Sequence, residues 1–207
     1  MSVTAKTPCV GRPRAFDAEI ALQQALKVFW RNGYEGTSLT DLTQAMGIKK
    51  PSLYATFGNK EQLFLKVLEL YEKGPGNFFF SALAQETAYQ VAEALLLGAA
   101  ASYADSDNPQ GCVVIQGALS CSEASESIKA ELISRRCSHE QSLCDRLQRA
   151  HAEGDLPASA NPKLLASFIG TVVQGMSVQA TNGVNDEELR QVAQMALASF
   201  PRTQLSG

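Results

Sequence analysis

Apolar side chains recur along this chain at spacings of three and four, the period of an amphipathic helix, and the pattern predicts an all-α protein of about nine helices. Asp17 caps the first, whose stripe Ile20, Ala21, Leu22, Ala25, Val28 and Phe29 runs to Asn32-Gly33. Leu39, Leu42, Ala45 and Met46 mark a second, and Leu53 with Phe57 the inward face of a third that begins at Lys49. A fourth, carrying Leu63, Phe64, Val67, Leu68 and Tyr71, runs from Lys60 to near Glu72 and stops at the breaker Lys73-Gly74-Pro75-Gly76. After the aromatic cluster Asn77-Phe78-Phe79-Phe80, which has no strand-like context, helices are expected from Thr87 to Asp105 and Cys112 to Cys121. Three more follow, from Ser125 to Glu153, Asn161-Pro162 to Ala180, and Asp186 to Phe200.

The stretch from Thr37 to Lys60 carries the sharpest local signals. Ser38 is a good N-cap, with Asp41 three residues on at the positive end of the helix dipole. Gly47 ends that helix in the left-handed conformation, and Ile48 packs back on it. Pro51 fits the first turn of the next helix, where its missing N–H is no loss. That short helix turns Lys50, Pro51, Ser52, Tyr54 and Thr56 outward. A face of cation, hydroxyls and phenol, braced from behind by another helix, suits the DNA major groove. Gly58 closes it, and Asn59 with Gln62 makes a capping-box start for the helix that follows. Trp30 and Tyr34 are expected to brace this small three-helix core.

The run GTSLTDLTQAMGIKKPSLYATFGNKEQLF resembles the signature of the tetracycline-repressor (TetR/AcrR) family of bacterial transcriptional repressors, above all in Gly47-Ile48, Leu53-Tyr54, Phe57, Asn59-Lys60 and Leu63-Phe64. The likeness covers about the first third of the chain. It implies a flexible basic arm at 1–15, a helix-turn-helix DNA-binding domain at 16–60, and a ligand-binding and dimerisation domain at 61–207. It also implies that Lys50, Pro51 and Ser52 face base edges, and that Ser38, Thr40, Tyr54 and Lys60 meet phosphate, with Thr40 within reach of a base. Thr56 stands where the family often has histidine, and Lys49 is either a phosphate contact or an exposed helix-start charge. Arg12 and Arg14 belong to the arm, where arginines enter a minor groove or remain a solvated tail. The fourth helix would be the lever between effector and DNA, and a two-fold dimer would set two reading helices about 34–36 Å apart, or a multiple, on palindromic double-stranded DNA.

Charge sharpens this division. The net charge of −3 over 207 residues hides eight Lys and Arg against four Asp and Glu in the first sixty residues, leaving −7 for the rest, as expected if one end meets phosphate. A hydrophobic content of 45% with 19% charged residues is that of a globular chain. Without an apolar run of about 18 residues no membrane partner is expected, and the N-terminus lacks the apolar core of a secretory signal, so the cytoplasm is the default.

Candidate chemistry is sparse. The five cysteines are odd in number and scattered, which argues against a disulfide framework. Cys137, Cys144 and His151 share a stripe but sit at heptad spacing, about 10 Å apart along a helix, so no metal or other cofactor is expected. Histidine is limited to His139 and His151, and HExxH, GxSxG and phosphate-loop motifs are missing. The alternative of an enzyme with an accessory helical module is therefore the weaker one.

Leu165, Phe168, Ile169, Val172, Val173 and Met176, with Gly170, Gly175 and Ser177 permitting close approach, and Leu189, Val192, Ala193, Ala196 and Leu197 are expected to form a homodimer interface; an internal hairpin would explain the same stripes. A pocket for an unknown small-molecule effector is expected to draw on Phe79, Tyr89, Leu96, Tyr103, Cys112, Ile115, Phe168 and Met176, with no basic cluster to favour a strongly anionic one. Cys112, at a helix start after Gly111, is either a thiolate that senses oxidants or electrophiles or a small buried hydrophobe.

Overall fold

Ten α-helices make up most of the described chain, residues 17–119 and 125–202 of a computed structural model. They are α1 (Ala18–Asn32), α2 (Leu39–Ala45), α3 (Lys50–Phe57), α4 (Lys60–Lys73), α5 (Phe78–Leu83), α6 (Ala88–Tyr103), α7 (Val113–Leu119), α8 (Glu126–Ala152), α9 (Pro162–Thr181) and α10 (Asp186–Ala198). A 3-10 turn, Pro75–Asn77, joins α4 to α5. The arm with Arg12 and Arg14 lies outside the described residues, as do Cys9 and Cys121.

The helix ends follow the capping chemistry. Ser38 Oγ accepts from the Asp41 N–H at 3.1 Å while the Asp41 carboxylate accepts from the Ser38 N–H at 2.8 Å, a reciprocal box that starts α2. Asn59 and Gln62 do the same for α4, and Thr87 and Gln90 for α6. The helix that the sequence pattern did not predict is α5. Its six residues have no side-chain cap, and it is held instead by packing against α6, with Phe78 edge-on to Tyr103 at 5.7 Å.

The core is continuous from end to end. Leu63, Phe64, Val67 and Leu68 of α4 are completely buried between α1 and the larger helical body. Phe64 meets Phe29 at 4.9 Å and Tyr34 at 5.1 Å, and Trp30 packs edge-on against Tyr71 at 4.8 Å. Trp30 thus braces α1 against α4, one helix further along than the three-helix core expected for it. Ile20 departs from its expected place: the buried stripe of α1 is Ala21, Ala25, Leu26, Phe29 and Trp30, and Ile20, one residue off it, is 57% exposed.

Among the described residues α9 alone is long and apolar enough, by length and composition, to cross a membrane. It packs instead against α6, α8 and α10 and turns one apolar face outward.

Candidate functional site

Three surfaces stand out, and α4 joins the first two. At one end, α2 and α3 meet at Gly47, whose φ of 65° gives the chain the left-handed step between them. Leu42, Leu53 and Phe57 are buried at this junction, which leaves α3 to present Lys50, Pro51, Tyr54 and Thr56 to solvent, with Ser52 half-buried and Lys49 exposed beside them. Ser38 and Thr40 are exposed at the start of α2. The oxygen of Ser38 is engaged in the cap, but its hydroxyl proton remains available to an acceptor. Lys60 is half-buried, with its ammonium 4.3 Å from the centre of the Tyr34 ring. Burial lowers its pKa, and Glu35 opposes that shift.

Gly58 fixes the angle between α3 and α4. Its φ is 78°, and an added Cβ would overlap the Gln62 side chain that caps α4. Gly58→Ala is therefore expected to cost about 1–3 kcal/mol and to tilt α3. Thermal unfolding and DNA binding of the variant check this together.

The second surface is a cavity of about 90 Å³ inside the larger helical body. Phe79, Tyr103, Cys112 and Ile115 line it as expected from sequence, and they are joined by Tyr71, Glu72, Phe78, Leu95, Val114, Leu143, Ala166, Gly170, Val173 and Gln174. Four expected residues lie elsewhere. Leu96 and Met176 are spent in the core, Phe168 faces outward, and Tyr89 carries the Arg202 guanidinium on its ring at 3.7 Å.

The expected lack of basic groups is also corrected: Arg136 and His139 line the cavity, along with Glu140. They lie with Leu143 at positions i, i+3, i+4 and i+7 of one face of α8, a spacing the sequence does contain. Behind them Arg135 bonds Glu72 of α4 at 2.6 Å and Glu131 at 2.7 Å, and His139 Nε2 lies 3.7 Å from Glu72. Burial lowers the pKa of His139, which stacks on Phe79 at 4.5 Å; Glu72 opposes the shift and Arg135 adds to it.

Cys112 sits at the inner wall, 6% exposed. Burial pushes its thiol up. The Tyr71 and Tyr103 phenols and the N–H groups of Val114 and Ile115, which favour the thiolate, offset this only in part. Of the two readings of Cys112, its burial favours the small buried hydrophobe over a resting thiolate. The Cys112 N–H donates to Ser177 Oγ at 2.9 Å, so Ser177 is buried against the α6–α7 loop and is not free for a helix crossing at the surface. Among the described residues no group of His, Cys, Asp and Glu has the arrangement of a metal site.

The third surface is the outer face of α9 and α10. Leu164 (66% exposed), Phe168, Val178, Val192 and Met195 (77% exposed) form it, with exposed Gly175 among them. Of the residues expected there, Phe168 and Val192 are exposed and Leu165, Val172 and Val173 half-buried. Ile169, Met176, Leu189, Ala193, Ala196 and Leu197 are buried within the protomer, so they pack the chain's own hairpin and the α6 face beneath it.

Residues 21–67 match the family model described as bacterial regulatory proteins, tetR family, and residues 93–196 match that of the tetracyclin repressor-like C-terminal domain. The chain is 37% identical over 204 residues to the HTH-type transcriptional repressor ComR of Escherichia coli (strain K12), covering 96% of this chain and 97% of that one. To the repressor BdcR of the same organism it is 30% identical over 189 residues, 90% of each. A solved structure of a cysteine mutant of the TetR family transcriptional regulator CifR, complexed with 26bp double-strand operator DNA, superposes with a TM-score of 0.86 at 40% identity, covering 92% of this chain and 100% of that one.

Proposed function

The chain belongs to the TetR family of bacterial regulatory proteins, and on that premise we propose that it is a homodimeric repressor released from its operator by a small molecule held in the cavity behind α4. It is a transcriptional regulator and not an enzyme. Residues 16–60 form the reading head and 61–207 the body that binds effector and partner; the protein works in the cytoplasm, with its DNA. Lys50, Pro51 and Ser52 read base edges, and Ser38, Tyr54 and Lys60 hold phosphate.

The observation that carries this reading is the double role of Tyr71. Its ring packs on Trp30 of the reading head, and the same side chain lines the cavity. An occupant that shifts Tyr71 therefore shifts α1 as well as α4. A second tie runs from Lys27 Nζ in α1 to the Asp107 carbonyl, 3.2 Å away in the loop that leads to Cys112.

Selection of genomic fragments by the purified protein, followed by salt-dependent binding to what is recovered and to its own promoter region, tests the proposal. No specific binding in either would overturn it. In the recovered operator, Lys50→Ala is expected to cost about 1–3 kcal/mol and to relax preference at one base position. Lys60→Ala is expected to weaken all sequences alike and to lower the salt slope by about one.

A further inference from the structure

We propose that the cavity takes a small organic monoanion: a carboxylate seated on Arg136, borne on an apolar body no larger than a single ring, with its far end against the phenols of Tyr71 and Tyr103. This rests on the reading of the cavity as the effector site, and adds the chemical class of the occupant.

The choice of sign comes from what is left unsatisfied. Formal charge does not decide it, because Glu72 and Glu140 on the wall face Arg136, with Arg135 just behind. The hydrogen bonds do. Glu72 is already an acceptor for Arg135 at 2.6 Å and has His139 beside it, so it has little left for a cationic ligand. Glu140 is exposed at the rim and forms no ion pair with Arg136. Two buried polar atoms on this wall have no oxygen or nitrogen partner among the described residues, Arg136 Nε and Tyr71 Oη, the phenol having only the weakly accepting Cys112 sulfur beside it, and both belong to groups that donate. Tyr71 is 3% exposed, and burial raises its pKa well above the usual phenol value, as it does for Tyr103, so both remain donors. A buried donor without an acceptor carries its desolvation cost uncompensated, and an occupant that supplies acceptors removes it. The occupant must therefore bring acceptors at both ends.

Orientation and size follow from the walls. The exposed lining residues, Glu140 of α8 and Gln174 of α9, place the opening between those helices, on the Arg136 side. Tyr71, Tyr103 and Cys112 close the inner end, and Phe78, Leu95, Val114 and Leu143 supply the apolar wall between the two. The volume of about 90 Å³ is smaller than the cavity of about 150 Å³ that accepts benzene, so the apolar body can be no larger than a single ring and the carboxylate projects toward the opening.

The test uses full-length protein, benzoate and 4-hydroxybenzoate as probes, and benzamide and benzylamine as the neutral and cationic counterparts. Calorimetry reads binding, and fluorescence anisotropy of a labelled operator fragment reads release. Benzoate is expected to bind about tenfold or more tightly than benzamide, 4-hydroxybenzoate to exceed benzoate through its far-end oxygen, and benzylamine not to bind. Arg136→Gln should abolish the preference of benzoate over benzamide while operator affinity without ligand stays within about twofold. Tyr71→Phe should remove the advantage of 4-hydroxybenzoate alone. Equal binding of benzoate and benzamide, unchanged preference in Arg136→Gln, or no binding by either carboxylate overturns the monoanion. If the carboxylates bind through Arg136 but leave operator affinity unchanged, the ligand class stands and the release reading fails.

Discussion

A protein carrying both Leu164→Glu and Met195→Glu is expected to elute as a monomer of 22.2 kDa and to lose about a hundredfold or more in operator affinity. The two side chains are the most exposed large apolar groups among the described residues, at 66% and 77%, so each substitution removes nothing from the protomer's own core. What they alter is the outer face of α9 and α10, where Phe168, Val178 and Val192 complete an apolar surface that water would otherwise cover. Four like charges facing one another across a two-fold axis would oppose closure of that face. Gly175, where an added Cβ meets nothing within 4 Å, leaves room on that face for a second helix to approach. The loss of DNA affinity follows because each monomer keeps one reading helix and forfeits the effective concentration that a tethered second one provides. Unchanged helix content by circular dichroism, with halved mass by light scattering, is the expected pair of readings. A dimer that survives both substitutions would place the partner on another face.

The reading head was legible in sequence because its determinants are local. Ser38 with Asp41, Gly47, Pro51, Gly58, and Asn59 with Gln62 act within four residues of one another, and each sets a helix end by chemistry that does not depend on the rest of the fold. The cavity was only partly legible, because its walls come from distant helices, from Tyr71 to Gln174. Arg136 and His139 lie on a face of α8 that periodicity alone cannot distinguish from a solvated one, and it is Glu72 of α4 and Phe79 of α5, distant in sequence, that meet His139 there. Helix α5 is not legible in sequence for a related reason: six residues with no cap hold their shape through contact with α6. On α9 the apolar stripe is legible in sequence, but not which part of it each neighbour covers. Ile169 and Met176 serve the interior and Leu164 and Phe168 the exterior, a division set by α6 and α8.

Truncation of Phe64 should have the largest effect on stability. Phe64→Ala is expected to lower it by about 3–5 kcal/mol and the midpoint by about 2–4 °C for each of those, at fixed protein concentration. The ring is completely buried and meets Phe29 of α1 and Tyr34 of the turn after it, and an added Cβ on Gly117 of α7 would lie 4.0 Å from it. Each of those neighbours belongs to a different element, so the void cannot close by a shift of one helix. Phe64→Leu, which keeps part of the volume, should lose less than half as much. The consequence extends to the proposed function because α4 carries Tyr71 and Glu72 at the cavity and Lys60 beside α3. With Phe64 removed, α1 and α7 lose the ring that they share with α4, and movement of α4 need not carry the reading head with it. Below its lowered midpoint the variant should still bind operator, but with a weaker release by effector than the unaltered protein shows. Full release from a variant destabilised by that amount would show that the signal reaches the head by the Lys27 contact with the Asp107 carbonyl instead.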